Sequence, residues 1–397
     1  MLITEKKPGI RFASRMSDLG TETAFVVLAK ARQLESQGRT VVHLEIGEPD
    51  FETPAHIVDE AVRALKGGAT HYGPSPGIPE ARQAIARYVS ETRGVPVDMD
   101  RVVITPGAKP IMFYTILALV DEGDEVIYPN PGFPIYESVI SFVGGRPVPI
   151  KLREENDFRL DVDELLDLVT ERTKLIIINS PQNPTGSILT ADDLRAVGRL
   201  AMERDIYVLA DEIYSRIIYE GEHKSILHEV PDAMDNVILL DGMSKTFAMT
   251  GWRLGWGVMH PTLAAAVAKL QTNSNSCTAT FSQMVIPPAL FGPQEPVEAM
   301  RSEFQKRRDI IVDGLNSIDR ISCRRPSGAF YVFPNVTRLG IESQVLADRL
   351  LQEGGVAALS GTAFGRFGEG YLRFSYANSI TNIKLGLERI AGFVSRL

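Results

Sequence analysis

Cysteine is nearly missing from this sequence: Cys277 and Cys323 are the only two in 397 residues. A pair so sparse, without C-x-x-C spacing, excludes a disulfide-framed domain and a cysteine-ligated zinc module. Both read as small buried apolar residues. Long hydrophobic runs are missing too. The longest strongly apolar segment, Ile111 to Val120, falls far short of the roughly 20 residues a membrane-spanning helix needs. The opening residues, MLITEKKPGIRF, carry no apolar stretch of signal-peptide type. A soluble, cytoplasmic protein with no membrane partner is the expectation. Positive charge is in deficit, 42 Lys and Arg against 50 Asp and Glu, for a net charge of −8. That balance argues against nucleic acid as a partner.

Several chemical signatures are also lacking. The six histidines are scattered, and the nearest pair, His223 and His228, does not share a helical face. No metal site is expected. No Gly-Lys dipeptide occurs, so there is no Walker-type phosphate loop. Residues Gly73–Gly77 spell GPSPG, the outline of a hydrolase nucleophile elbow. Pro76 follows Ser75, however, and lacks the N–H an oxyanion hole requires. A proline-rich turn is the better reading.

What remains is a globular composition, 44% hydrophobic and 23% charged, long enough for two to three domains at about 150 residues each. Val- and Ile-rich runs recur at Val102–Thr105, Glu125–Tyr128, Lys174–Asn179, Ile206–Asp211, Val237–Asp241 and Gly255–Met259. Helical patterns lie between most of them, at Ile78–Thr92, Ala108–Val120, Ala191–Arg204 and Pro261–Thr272. Short apolar strands alternating with helices predict an α/β fold with a mainly parallel sheet covered on both faces. The two ends read differently. A helix over Thr21–Gly38 and a strand over Val41–Ile46 precede this region. After it come a charged helix over Glu295–Asn316, strands near Ile321–Arg324, Phe330–Phe333 and Tyr371–Ser375, and a last helix. Such mixing predicts a separate α+β domain.

Four segments place polar residues at predicted strand ends, where α/β proteins gather ligands. VVITPGAKP (102–110) is a strand, a tight turn and a helix start, where Gly107 and Ala108 let free N–H groups approach a phosphate. NSPQNPTG (179–186) reads as a rigid loop presenting Asn183, with Gly186 allowing an unusual backbone angle. In IYVLADEIYS (206–215), Asp211 ends an apolar strand and needs a partner there, with Tyr214 three residues on. In VILLDGMSKTFAMTGWRLGW (237–256), Lys245 follows a buried strand, where desolvation makes an amine nucleophilic, and Arg253 comes eight residues later. Taken singly, each also reads as an ordinary turn, a core carboxylate or a surface lysine.

Together, in this order and spacing, NPTG, DEIY, SK and GWR resemble the class I and II aminotransferases of pyridoxal-phosphate (PLP) fold type I. The resemblance points to the aspartate aminotransferase-like subgroup. It runs from LEIGEPDFETP at 44–54 to LRFSYANS at 372–379. It implies pyridoxal 5'-phosphate as cofactor and Lys245 as the Schiff-base lysine and proton carrier. Asp211 would pair with the pyridine nitrogen, and Asn183 and Tyr214 would bond the phenolic oxygen. Phe133, in NPGFPIY, would stack on the ring. Gly107, Ala108, Lys109, Ser244 and Arg253 would surround the phosphate. Tyr72 would reach the phosphate of a neighbouring subunit, making the protein a homodimer with shared sites. Arg373 would grip the substrate α-carboxylate, with Gly47 and Asn183 beside it.

The reaction so implied is ping-pong amino transfer between an L-amino acid and a 2-oxo acid, with glutamate/2-oxoglutarate or aspartate as one partner. A carbon–sulfur β-lyase is the alternative on the same cofactor residues. A PLP-containing transcription regulator would need a winged helix-turn-helix, and only about forty residues precede EIGEPDF. No Lys or Arg lies between Lys269 and Arg301, so Lys109 is the candidate reader of a distal carboxylate, with Arg11 or Arg15 as helpers. The resemblance divides the chain into a large domain, 48–293, and a small domain, 1–47 with 294–397, that closes over the substrate.

Overall fold

The computed structural model describes residues 10–397. The first nine residues, part of the opening segment and of the expected 1–47 unit, lie outside the described residues. Twelve strands form among those described: β1 (Val42–His43), β2 (Val102–Thr105), β3 (Glu125–Asn130), β4 (Arg146–Lys151), β5 (Thr173–Asn179) and β6 (Tyr207–Asp211). They continue with β7 (Val237–Gly242), β8 (Gly255–Val258), β9 (Tyr331–Val332), β10 (Val356–Ala357), β11 (Leu359–Ser360) and β12 (Leu372–Ser375).

Seven of them make one sheet in the order β2-β8-β7-β6-β5-β3-β4. The pairs β4·β3, β3·β5, β5·β6 and β6·β7 are parallel, whereas β8 runs antiparallel to both β7 and β2. The fold is α/β with a mostly parallel sheet. Alternation along each strand explains why the runs are apolar throughout. Ile176 and Ile178 of β5 pack into one cluster with Ala81, Ile85, Leu194 and Val197. Leu175 and Ile177 enter the opposite cluster with Ile111, Ile140 and Val267. Side chains switch face at every residue, so a sheet with helices on both sides buries each one. The second cluster continues without a break into Phe304, Phe330, Phe374 and Tyr376 of the C-terminal part.

The helices over Ala191–Arg204 and Glu295–Asn316 have the expected bounds, and those at Pro79–Arg93, Lys109–Leu119 and Pro261–Ser274 differ by a residue or two. Strand β4 was not expected. Its sequence, RPVPIK, carries two prolines, which are compatible with a strand only at a sheet edge, and β4 is the edge. The expected strand at Ile321–Arg324 is reduced to an isolated bridge from Ser322 to Asn335, and the Val41–Ile46 strand to the two residues of β1. GPSPG is a turn, closed by Gly77 N–H donating to the Pro74 carbonyl at 2.9 Å. Cys323 is buried as expected, but Cys277 is only half-buried.

Strands β2 to β8 all fall between residues 48 and 293. The remaining five join the two ends of the chain: β1 pairs parallel with β10, and β11-β12-β9 form a small antiparallel sheet. Ser375 N–H donates to the Leu44 carbonyl at 2.7 Å. That contact brings β12 beside the segment leading into Gly47. No described helix is long and apolar enough to cross a membrane.

Candidate active site

The C-terminal ends of β5, β6 and β7 and the start of the helix after β2 open on a cavity of about 460 Å³. Eleven of the expected residues line it: Gly47, Ala108, Lys109, Phe133, Asn183, Asp211, Tyr214, Ser244, Lys245, Arg253 and Arg373. Gly107 does not line the cavity itself but adjoins the lining residues Ala108 and Arg253. Tyr72 does not reach this cavity; its ring is 89% exposed, away from its own chain. Arg11 and Arg15 are also outside it, and the Arg15 guanidinium instead lies 5.8 Å from the Phe142 ring centre.

Asp211 is the last residue of β6, and its carboxylate is buried. The Tyr136 hydroxyl donates to its Oδ2 at 2.5 Å, and Ile213 N–H donates to its Oδ1 at 3.2 Å. Burial nevertheless pushes the carboxyl up to about 6, against the opposing pull of those two donors and of the Lys245 charge. An anion at a strand end with only neutral donors in contact is well placed to receive a cation.

Lys245 sits one short turn beyond β7, and its Nζ donates to the Gly47 carbonyl at 2.7 Å. Burial lowers its ammonium to about 8, while Glu48 and Glu22 hold it from falling further. Asn183 is positioned by Asn179 at the end of β5, whose Oδ1 accepts the Asn183 N–H at 2.9 Å. The Gly186 backbone in this loop has φ +69°, and a Cβ there would collide with Pro326.

At the start of the Lys109–Leu119 helix the Ala108 and Lys109 N–H groups have no partner among the described residues, whereas Gly107 N–H donates to the Thr105 carbonyl at 2.8 Å. Ala108 holds the N-cap position and no side chain caps the helix. Gly107 has φ +90°, and a Cβ on it would strike the Arg253 guanidinium. Arg253 is itself tethered through Nη1 to the Thr250 carbonyl at 2.8 Å, and Ser244 is buried beside it. The result is a cradle of N–H groups, a hydroxyl and a guanidinium, complementary to a phosphate.

Arg373, from β12, is buried on the other side. Its Nη1 donates to Asn183 Oδ1 at 3.2 Å, its Nη2 donates to the Glu45 carbonyl, and its guanidinium lies 4.5 Å from the Tyr331 ring centre. Its Nε has no partner among the described residues. An orphaned buried donor on a fork-shaped cation fits a carboxylate ligand. Glu45 is completely buried and answers His43, whose Nδ1 lies 2.8 Å from Glu45 Oε1. The hydrogen bond and charge of Glu45, aided by Glu35, lift His43 to about 9.

Among the lining residues that the sequence did not single out are Tyr136, Tyr331 and Glu22. Tyr136 lies three residues beyond Phe133, and the two rings meet edge to face at 5.5 Å. That three-residue spacing, across the start of the helix Ile135–Phe142, was the available signal. The Tyr331 hydroxyl pairs with that of Tyr214 at 2.8 Å, a contact no local pattern reports. Glu22 forms an ion pair with Lys109 at the cavity mouth. No group of His, Cys, Asp and Glu among the described residues is arranged to hold a metal.

Comparison with known proteins converges on one family. The model of the family described as aminotransferase class I and II matches residues 39–390. An aspartate aminotransferase of Pyrococcus abyssi is 39% identical over 355 residues, 89% of this chain and 91% of its own. One from Geobacillus stearothermophilus is 36% identical over 393 residues, 97% of this chain and 99% of its own. The solved aspartate aminotransferase of Thermus thermophilus with maleate superposes with a TM-score of 0.93 at 36% identity, over 97% of this chain and 100% of that one. The chain therefore belongs to the class I and II aminotransferase family and is an aminotransferase with the α/β fold of its aspartate aminotransferase neighbours.

Proposed function

We propose that this enzyme exchanges the amino group of glutamate or aspartate with a 2-oxo acid by a ping-pong cycle, with pyridoxal 5'-phosphate held in the cavity. The observation that carries the reading is the convergence of three groups on one space: an amine lowered to about 8, a buried carboxylate raised to about 6, and a buried guanidinium with a free Nε. The residues present fit that cofactor. The cradle at Gly107, Ala108, Ser244 and Arg253 would hold its phosphate, Asp211 its ring nitrogen, Asn183 and Tyr214 its phenolic oxygen, and Phe133 one ring face.

When bound, pyridoxal 5'-phosphate supplies an electron sink for the pair released as a substrate Cα–H bond breaks. The chain's own groups do the rest. Asp211, once its carboxylate faces a cationic N–H, stays ionised and fixes that proton on the ring side. Lys245, its ammonium lowered to about 8, would carry the proton from the substrate Cα to the C4′ carbon of the cofactor. Arg373 offers a two-pronged donor to the α-carboxylate, and the Gly47 backbone lies beside it. The side-chain end of the substrate then points toward Lys109, whose Nζ is 5.4 Å from the Phe133 ring centre. That ammonium is the group that reads a distal carboxylate.

Two further parts belong to the same proposal. Residues 1–47 with 294–397 act as a small domain closing on 48–293, since Arg373 and its Glu45 acceptor both come from that side. The chain works as a homodimer, since the exposed ring of Tyr72 is accompanied by the exposed side chains of Val58, Val62 and Leu65 on one helix. Those exposed apolar groups favour a second copy as their cover.

The test is the visible absorbance of the purified holoenzyme, titrated first with glutamate and then with 2-oxoglutarate. Loss of the band with glutamate and its return with the oxo acid establish amino transfer. A band untouched by every amino donor, with pyruvate released from cystathionine, moves the function to a β-lyase.

A further inference from the structure

Glu22 holds the N-cap position of the helix Thr23–Ser36, yet its side chain makes no capping bond. Ser, Thr, Asp or Asn there ordinarily accepts from the first-turn N–H groups, whereas the longer Glu side chain reaches elsewhere. Here the carboxylate lines the active cavity and forms an ion pair with Lys109 Nζ. Neither partner is deeply buried; their side chains are 25% and 46% exposed. The charge is nevertheless felt inside, for Glu22 raises the proton affinity of both Lys245 and Arg373. The cavity thus already contains a carboxylate of its own, paired with Lys109.

We propose that Glu22 is an internal stand-in for the distal carboxylate of the substrate, competing with it for Lys109 and so determining how the pocket treats charged and uncharged side chains. The inference rests on Lys109 as the reader of that carboxylate. A dicarboxylic substrate anchored at Arg373 displaces Glu22, which turns out into water at little cost because a partly exposed pair contributes little. An uncharged side chain leaves Glu22 in place, so no ammonium is stranded against apolar atoms. Both halves of a ping-pong cycle pass through one pocket, and this exchange lets it accept two side-chain classes without rebuilding its wall.

The experiment measures affinity of the holoenzyme for succinate, a dicarboxylate, and for butyrate, its monocarboxylate counterpart, by calorimetry. Glu22→Gln is expected to raise the ratio of succinate to butyrate affinity about fivefold, and Glu22→Ala should move it the same way. Lys109→Ala should lower that ratio. If both Glu22 variants leave the ratio unchanged or lower it while Lys109→Ala still lowers it, the proposal is overturned and the Lys109 reading survives. If Lys109→Ala leaves it unchanged, both fall. Either result stands apart from amino transfer itself, which the absorbance titration tests separately.

Discussion

The floor and the mouth of the cavity are built on opposite principles. On the floor, Asp211, Lys245 and Arg373 are deeply packed, hydrogen-bonded to fixed partners, and shifted in proton affinity by burial. At the mouth, Lys109 and Glu22 are partly solvated and touch mainly each other. In a dry setting a charge is strong and cannot change partners cheaply; in a wet one it is weak and can. Chemistry common to all amino acids belongs on the floor, and discrimination among side chains belongs at the mouth. Substitutions should therefore separate the two regions by size of effect.

The largest effect is expected from Lys245→Ala. Turnover should drop by roughly a thousandfold or more, with circular dichroism and melting temperature showing an intact fold. Retained amino transfer in this variant would sink the assignment of the floor. Arg373→Ala comes next and should weaken amino-acid binding by about 2–5 kcal/mol. Calorimetry with glutamate reads this directly, and an unchanged affinity would remove Arg373 from the carboxylate site.

Tyr136→Phe sharpens the comparison inside the floor. Its hydroxyl holds the Asp211 carboxyl down, so removing it lets the carboxyl rise further above about 6. A raised carboxyl ionises only at higher pH, so in the cofactor-free protein the Asp211 titration, followed by infrared difference spectroscopy, should move upward. An unmoved titration would show that Tyr136 packs against Asp211 without tuning it. The smallest effect should be at the mouth. Lys109→Ala is expected to reduce the preference for glutamate over alanine by about fivefold, read as a ratio of kcat/KM values. A loss as large as that of Arg373→Ala would erase the contrast between the regions.

The legibility of the sequence follows the same division. Asp211 stood out because a polar residue closing an apolar strand conflicts with its surroundings, and Asn183 because Pro184 and Gly186 mark the rigid loop that presents it. Lys245 stood out through its neighbours, a buried strand before it and Arg253 after it. Tyr136 and Tyr331 did not, because a tyrosine among apolar residues reads as core, and their partners Asp211 and Tyr214 lie far away in the chain. Glu22 stayed hidden because an acidic residue at a helix start already has an ordinary explanation. In the fold, the alternation of strand and helix was plain. Strand β4 was masked by its prolines, and the two-residue strands were too short for any periodicity.

The pairing of β1 with β10, and of Leu44 with Ser375, has a bearing on how the protein is made. Synthesis delivers the strands of the large sheet, with Asp211 and Lys245 at their ends, well before β12 leaves the ribosome. The carbonyl of Glu45 accepts from a guanidinium that lies 328 residues later in the chain. A nascent chain can thus assemble a site for the cofactor's phosphate and ring while the grip on amino acids is still missing. Of these groups Arg373 is made after Asp211 and Lys245, and a chain interrupted before β12 lacks that grip.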